Sequence, residues 1–416
     1  MADDESADED ESGGLDGPGG ACIFSAPELD RIRECIIDVV LPTWVARPPR
    51  NLGEKSHGKL KADNWFILFS VFLPMCLPEI WSSPDWEKRM LLQNFFALVE
   101  CTNIVCSFTT SVEDADYYLQ EYIRYRRSNN LLFPHSRSVP NHHYAMHNGE
   151  FLKFWGPLMS VSEFAYEQRN GTFQRVKTNG HLYEIDYTML QQICRRGRLH
   201  ALLHPIRHGA SQGELRNAVD GLLADDAAGK STGVNNRRAQ LLPMNVYELL
   251  LNWLRGTASG TEIRNYRALP HPPNAKVLSP YAVALTHHDF GGRTYTVHQA
   301  HGGNSSIVFH TITGLAAGFI ESMWKYDLEG QTHCIMLVRT HKQLSPQDQE
   351  KSPYAAKSKL HMMLFYAAPS EEYLLIAPSD VVSHTAYRER PPGTFGIDQR
   401  TLVVHNLDRG RSGLRY

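Results

Sequence analysis

The chain is 416 residues long with 42% hydrophobic side chains, enough for two or three domains with cores of their own, which sets aside a small disulfide-stapled fold. Its 42 Lys+Arg against 45 Asp+Glu give a net charge of −3, but eight of the acids fall in the first twenty residues with no base among them. The remainder is weakly basic and His-rich, which permits a nucleic-acid partner without requiring one.

Residues 1–21 combine acids, Ser and Gly with almost nothing apolar, so they read as a disordered tail that cannot offset its ordering entropy. MADDESADED is also opposite in charge to a signal or transit peptide. From 22 to 207 the pattern is mostly helical. Pro27 to Val40 carries Leu29, Ile32, Cys35, Ile36 and Val40 at helical spacing, and Asp85 to Val105 repeats it with Met90, Leu91, Phe95, Leu98 and Val99. Between them, Trp65 to Trp81 falls near the minimum of about 20 apolar residues for a membrane span and is cut by Pro74 and Pro78, so it reads as a buried helix. Asp114 to Arg127 is a further helix whose basic end at Arg124, Arg126 and Arg127 suits a C-terminus.

Residues 208–240 are small and polar, an exposed linker. A helix from Pro243 to about Arg255 and a Pro-rich connector fill 241–300. In 301–416, the runs Ser305–Ile312, Thr332–Arg339, Leu360–Tyr366, Tyr373–Ile376, Val381–Tyr387 and Thr401–His405 are short and rich in β-branched and aromatic residues. The expected fold class is α+β: a mostly helical N-terminal domain followed by a small antiparallel β-barrel-like domain.

Seven cysteines, odd in number and scattered, argue against a disulfide framework and fit a reducing compartment, so the sequons at Asn170 and Asn304 read as unglycosylated. Gly229-Lys230-Ser231-Thr232 lacks the earlier glycine of a phosphate loop, position 224 being Ala. His143 and His147 stand four apart, able to share a helix face, but no Cys pair or glutamate of a zinc motif accompanies them, and they read as packed or surface histidines. In GPLMSVSEFAYEQRNGTFQRVKTN (Gly156 to Asn179), Ser160 and Glu163 fit a capping box. Glu167 follows one turn later, in the company of Arg169, Arg175 and Lys177.

Pro42 to Trp65 (PTWVARPPRNLGEKSHGKLKADNW), Pro140 to Asn179, and Phe319 to Leu344 (FIESMWKYDLEGQTHCIMLVRTHKQL) together resemble the C-terminal part of CACTA-like transposases of the Plavaka and KDZ type found in fungi. The resemblance spans most of residues 22–416 in order, leaving out the acidic tail and the linker. It implies that the helical domain is the C-terminal segment of a ribonuclease-H-like core, in which two Asp and one Glu hold two Mg²⁺ or Mn²⁺ ions for DNA strand cleavage and transfer.

It also places Glu167 as the last of those carboxylates and a metal ligand, in Tyr166-Glu167-Gln168, where relatives have Phe-Glu-Arg and this chain displaces the arginine to Arg169. The second family motif, an acid or Cys two residues before a His, is not clean in His57 to Asp63. Asp63, Asp85, Asp114 and Asp116 sit in helical or loop contexts, so the first two carboxylates are expected to be missing. A site for the metals would then need a catalytic transposase half supplied by another chain.

Arg169, Arg175, Lys177, Arg195, Arg196 and Arg198 are the expected DNA contacts, through phosphates. The expectation is a transposable-element-derived nuclear protein that binds DNA, is incomplete for catalysis alone, and has no membrane partner. The alternative is a non-catalytic interaction or scaffold protein whose barrel docks a peptide or chromatin partner, by analogy with SH3-like and bromo-adjacent-homology modules.

Overall fold

The computed structural model describes residues 24–54, 60, 62–82, 85–163, 176, 178–208, 239–257, 263–272, 275–328 and 331–410. The chain is α+β, with a helical N-terminal region and a large antiparallel sheet in its second half. The acidic tail and residues 209–238 of the expected linker lie outside the described residues.

Helix α1 (Ala26–Asp38) starts where Ser25 turns extended and its amide donates to the Glu28 carboxylate at 2.7 Å, with Pro27 in the first turn. Its buried Ile32, Cys35 and Ile36 recur at the expected helical spacing. The apolar stretch that follows is a helix in three pieces: α2 (Ala62–Ile67), a π-helical turn (Leu68–Phe72) and α3 (Leu73–Trp81). Pro74 lies in the first turn of α3, where a proline is tolerated, and Pro78 lies inside it. Phe72, Met75, Leu77 and Trp81 are buried in protein.

Helix α4 (Trp86–Val105) begins at Asp85, whose carboxylate accepts from the Glu87 amide at 3.0 Å. Helix α5 (Val112–Leu132) begins at Ser111 and corrects the sequence expectation at its other end, because Arg124, Arg126 and Arg127 lie inside the helix instead of closing it. A tertiary contact carries the helix on: the Ser128 hydroxyl donates to the Arg124 carbonyl at 2.9 Å and accepts from Asn94 Nδ2 of α4 at 2.8 Å. Helices α6 (Pro140–Tyr144) and α7 (Asn148–Trp155) lean on α5 through Leu152 and through Tyr118, whose hydroxyl donates to the Ala145 carbonyl at 2.7 Å. Ser160 ends a 3₁₀ turn (Leu158–Ser160), and the helix that it was expected to cap lies outside the described residues. Helix α8 (Ile185–His208) closes the helical region.

The second half carries β1 (Gln240–Leu241), α9 (Met244–Thr257), β2 (Ile263–Asn265), β3 (Lys276–Leu278), β4 (Tyr281–Leu285), β5 (His287–Phe290) and β6 (Arg293–Thr296). After them come β7 (Ser306–Thr311), β8 (Gly314–Leu328), β9 (Gln331–Lys342), β10 (Met362–Ile376), β11 (Val381–Arg390) and β12 (Thr401–Asn406). The main sheet runs β1-β4-β8-β7-β11-β12-β10-β9, and β8 pairs with β9 as well. Strands β2 and β3 form a short parallel pair, while β5 and β6 form a hairpin turned by Gly291 and Gly292, both at positive φ as a tight two-residue turn requires.

The expected run Leu360–Tyr366, apart from Leu360 at the end of a 3₁₀ turn and the left-handed His361, and the run Tyr373–Ile376 belong to one strand, β10, whose register slips across the intervening residues. Strand β8 was not expected, since Gly314, Ala316, Ala317 and Gly318 are poor strand formers. Neighbours on both sides hold it, and Gly318 admits β9 so closely that a Cβ there would lie 2.3 Å from the Arg339 carbonyl oxygen.

Alternation along the strands divides the core. Met362, Leu364 and Tyr366 of β10, with Val403 of β12, face α1, α3 and α4 in one shared core. Phe365, Leu402 and Val404 face the other way, toward Val308 and Ala317. Helix α9 covers the far end, setting Tyr247, Leu250 and Leu254 against Trp324, Tyr326 and Leu337.

The helical layer is also tied to the sheet by polar bonds. Lys357 Nζ reaches Glu100 at 2.8 Å and Glu121 at 3.5 Å, and both carboxylates are buried. Val40 and Tyr387 exchange backbone bonds at 2.9 and 3.1 Å. Asn304 is buried, with its Oδ1 accepting from the Thr43 amide at 2.8 Å, which leaves that sequon no room for a glycan.

Candidate nucleic-acid interface

Helix α8 is built from a polar start. The Asn179 side chain accepts from the His181 amide at 3.1 Å and donates to Glu184 at 2.8 Å, and Thr188 Oγ1 donates to the Glu184 carbonyl at 2.7 Å. Asp186 supplies the acid in the first turn that complements the helix dipole. Arg195 and Arg198, three residues apart, share a side of the helix, and Arg196 lies about 100° round from Arg195. All three are exposed. So are Tyr187 (62%), Leu190, Leu199 and Leu202 (71%), which place apolar surface among the arginines. The arrangement offers guanidinium groups to an extended anion, and long side chains with apolar stems suit such a surface.

The other expected site residues, Glu167, Arg169, Arg175 and Lys177, lie outside the described residues, as does Gly229 to Thr232. The aspartates that are described have local partners. Asp85 caps α4, Asp114 pairs with Lys359 across the seam to the sheet, and Asp116 pairs with Lys153 of α7. Asp63 lies in the first turn of α2. His143 and His147 meet edge to face at 5.1 Å between ring centres, and His147 reaches Glu150 at 3.5 Å. Among the described residues no three His, Cys, Asp or Glu side chains come together as a metal site, so the described carboxylates do not fit a two-metal centre.

Sequence reasoning missed one polar cluster and three buried histidines. The first is a cavity of 170 Å³ between the helices and the sheet, lined by Asp114, Lys359, His361, Asn406 and Asp408 among others. His361 holds a left-handed backbone (φ 58°), and burial beside Lys359 pushes its imidazole below the ordinary value. Lys359 and Asp114 neutralise one another here.

Three histidines, His341, His384 and His405, are each buried in the sheet. Burial pushes His341 and His405 down to about 3 and His384 to about 4. His384 stacks on Tyr295 at 4.3 Å and its Nδ1 accepts from Trp44 Nε1 at 3.3 Å, while the edge-on rings of Phe319 and His341 lie 4.7 Å apart. The pairs Asp114–Lys359 and Trp44–His384 join segments hundreds of residues apart, so spacing carried no signal of either.

Compared with protein families, with curated proteins and with solved structures, the chain matches none.

Proposed function

We propose that this is a transposase-derived DNA-binding protein that contacts phosphates through α8 and the basic stretch around Glu167, and that it does not cut DNA by itself. The observation that carries the reading is the exposure of Arg195, Arg196 and Arg198 on one solvent-facing helix, where a nucleic-acid backbone can reach them. The resemblance to CACTA-like transposases supports the same reading and goes with a nuclear location. Mg²⁺ or Mn²⁺ belongs to it only if Glu167 joins carboxylates supplied by a catalytic half on another chain.

The test is fluorescence anisotropy with a short labelled duplex between about 50 and 200 mM salt. Binding should weaken steeply across that range, and the triple variant Arg195→Ala, Arg196→Ala, Arg198→Ala should lower the log–log salt slope by about 3. A parent protein that leaves the duplex free at the lowest salt refutes the reading.

The apolar residues on α8 favour a second reading, a scaffold that docks a protein. On that reading the sheet acts as a small barrel-like module, which the pairing of β8 with both β7 and β9 supports. Duplex binding that is absent, together with a soluble partner captured in a salt-insensitive way, would select it.

A further inference from the structure

We propose that the helical region binds an uncharged, largely hydrocarbon small molecule in the solvent-open cavity between α1, α2, α3, α4 and α5. This cavity measures 810 Å³, and its walls include Trp65, Phe69, Leu77, Trp81, Phe95 and Leu98. The volume falls in the range of roughly 300–1,000 Å³ typical of sites that take small ligands. The wall is overwhelmingly apolar, so a hydrocarbon that displaces water from it loses few hydrogen bonds and gains apolar contact.

Two polar donors on the wall are engaged elsewhere. Asn94 Nδ2 donates to the Tyr125 carbonyl at 2.9 Å and to Ser128 Oγ at 2.8 Å, and Trp81 Nε1 donates to Glu28 at 3.2 Å. A ligand is therefore held by shape and apolar contact. Among the described lining residues the one carboxylate is Glu54, and no Lys, Arg or His is present. Among the described lining residues a carboxylate headgroup finds no cation, which favours an alcohol or hydrocarbon over a fatty acid.

The probe is N-phenyl-1-naphthylamine, a neutral dye that brightens in apolar surroundings, titrated into the full chain with direct excitation. A saturable, blue-shifted emission is expected, with displacement by dodecanol at concentrations about tenfold below those needed for dodecanoate. Two substitutions fill the cavity to different degrees, Leu98→Trp and Leu91→Phe. Each should weaken dye binding, the first by about tenfold, with no fall in melting temperature. Phe154→Ser removes an exposed aromatic residue outside the cavity and should leave binding unchanged. Non-saturable emission, full binding by a folded Leu98→Trp variant, or loss of binding in Phe154→Ser overturns the proposal. Equal competition by dodecanoate overturns the choice of an uncharged ligand.

Discussion

Acidification from about pH 7.5 to about 5.5 should strip about 4 kcal/mol from the folded state, through His341, His384 and His405 alone. Each is buried, and its folded value lies at about 3 or about 4, against an ordinary value of 6.5. Across the titrated range the unfolded chain takes up a proton that the folded chain refuses. The stabilisation is therefore complete above 6.5 and is lost as the pH falls toward the folded values. Over the two units in question each histidine contributes about 1.4 kcal/mol of loss, a large share of the roughly 5–15 kcal/mol that holds a domain together. His361, pushed down by burial as well, acts in the same direction. Urea unfolding followed by circular dichroism at several pH values reads the slope directly. His341→Phe should remove about one third of that slope whatever it does to stability at neutral pH. Stability that stays flat between the two pH values, or a His341→Phe protein with an undiminished slope, refutes the reasoning.

Lys357→Met should destabilise the chain by about 3–5 kcal/mol, because it strands the buried Glu100 and Glu121 carboxylates without their shared cation. Chemical denaturation checks this, and adding Glu100→Gln should restore part of the loss. Gly318→Ala should lose about 1–3 kcal/mol, since the new methyl would press on the Arg339 carbonyl and push β8 and β9 apart, an effect that thermal melting reads.

The elements that were legible in the sequence are those whose cause is local. Asp85 announces α4 by its own side chain, and the spacing of Ile32, Cys35 and Ile36 gives α1 its buried face. What spacing could not show depends on distant partners. Asn94 of α4 bonds Ser128 where α5 passes its arginines, and β8 is a strand because β7 and β9 flank residues of weak strand preference. Strand β10 looked like two strands because its middle is polar and proline-bearing, yet β9 follows it through the register slips. At the candidate interface, Arg195, Arg196 and Arg198 were legible as a basic run, and their exposure follows from a helix that the sequence had not singled out.

The exchange of bonds between Val40 and Tyr387 has a consequence for how the protein is made. The segment after α1 runs beneath residues 301–304, with Leu41 so close to Gly303 that a Cβ there would lie 1.9 Å from its carbonyl oxygen. The apolar faces of α1 and α3 are completed by Met362, Leu364 and Val403. A ribosome must therefore translate past Val403 before the earliest described helices can bury those faces. During that interval they are exposed to whatever else is in the cell, so the nascent chain is a natural client for chaperones, and its assembly is slow in the way of folds that close long loops.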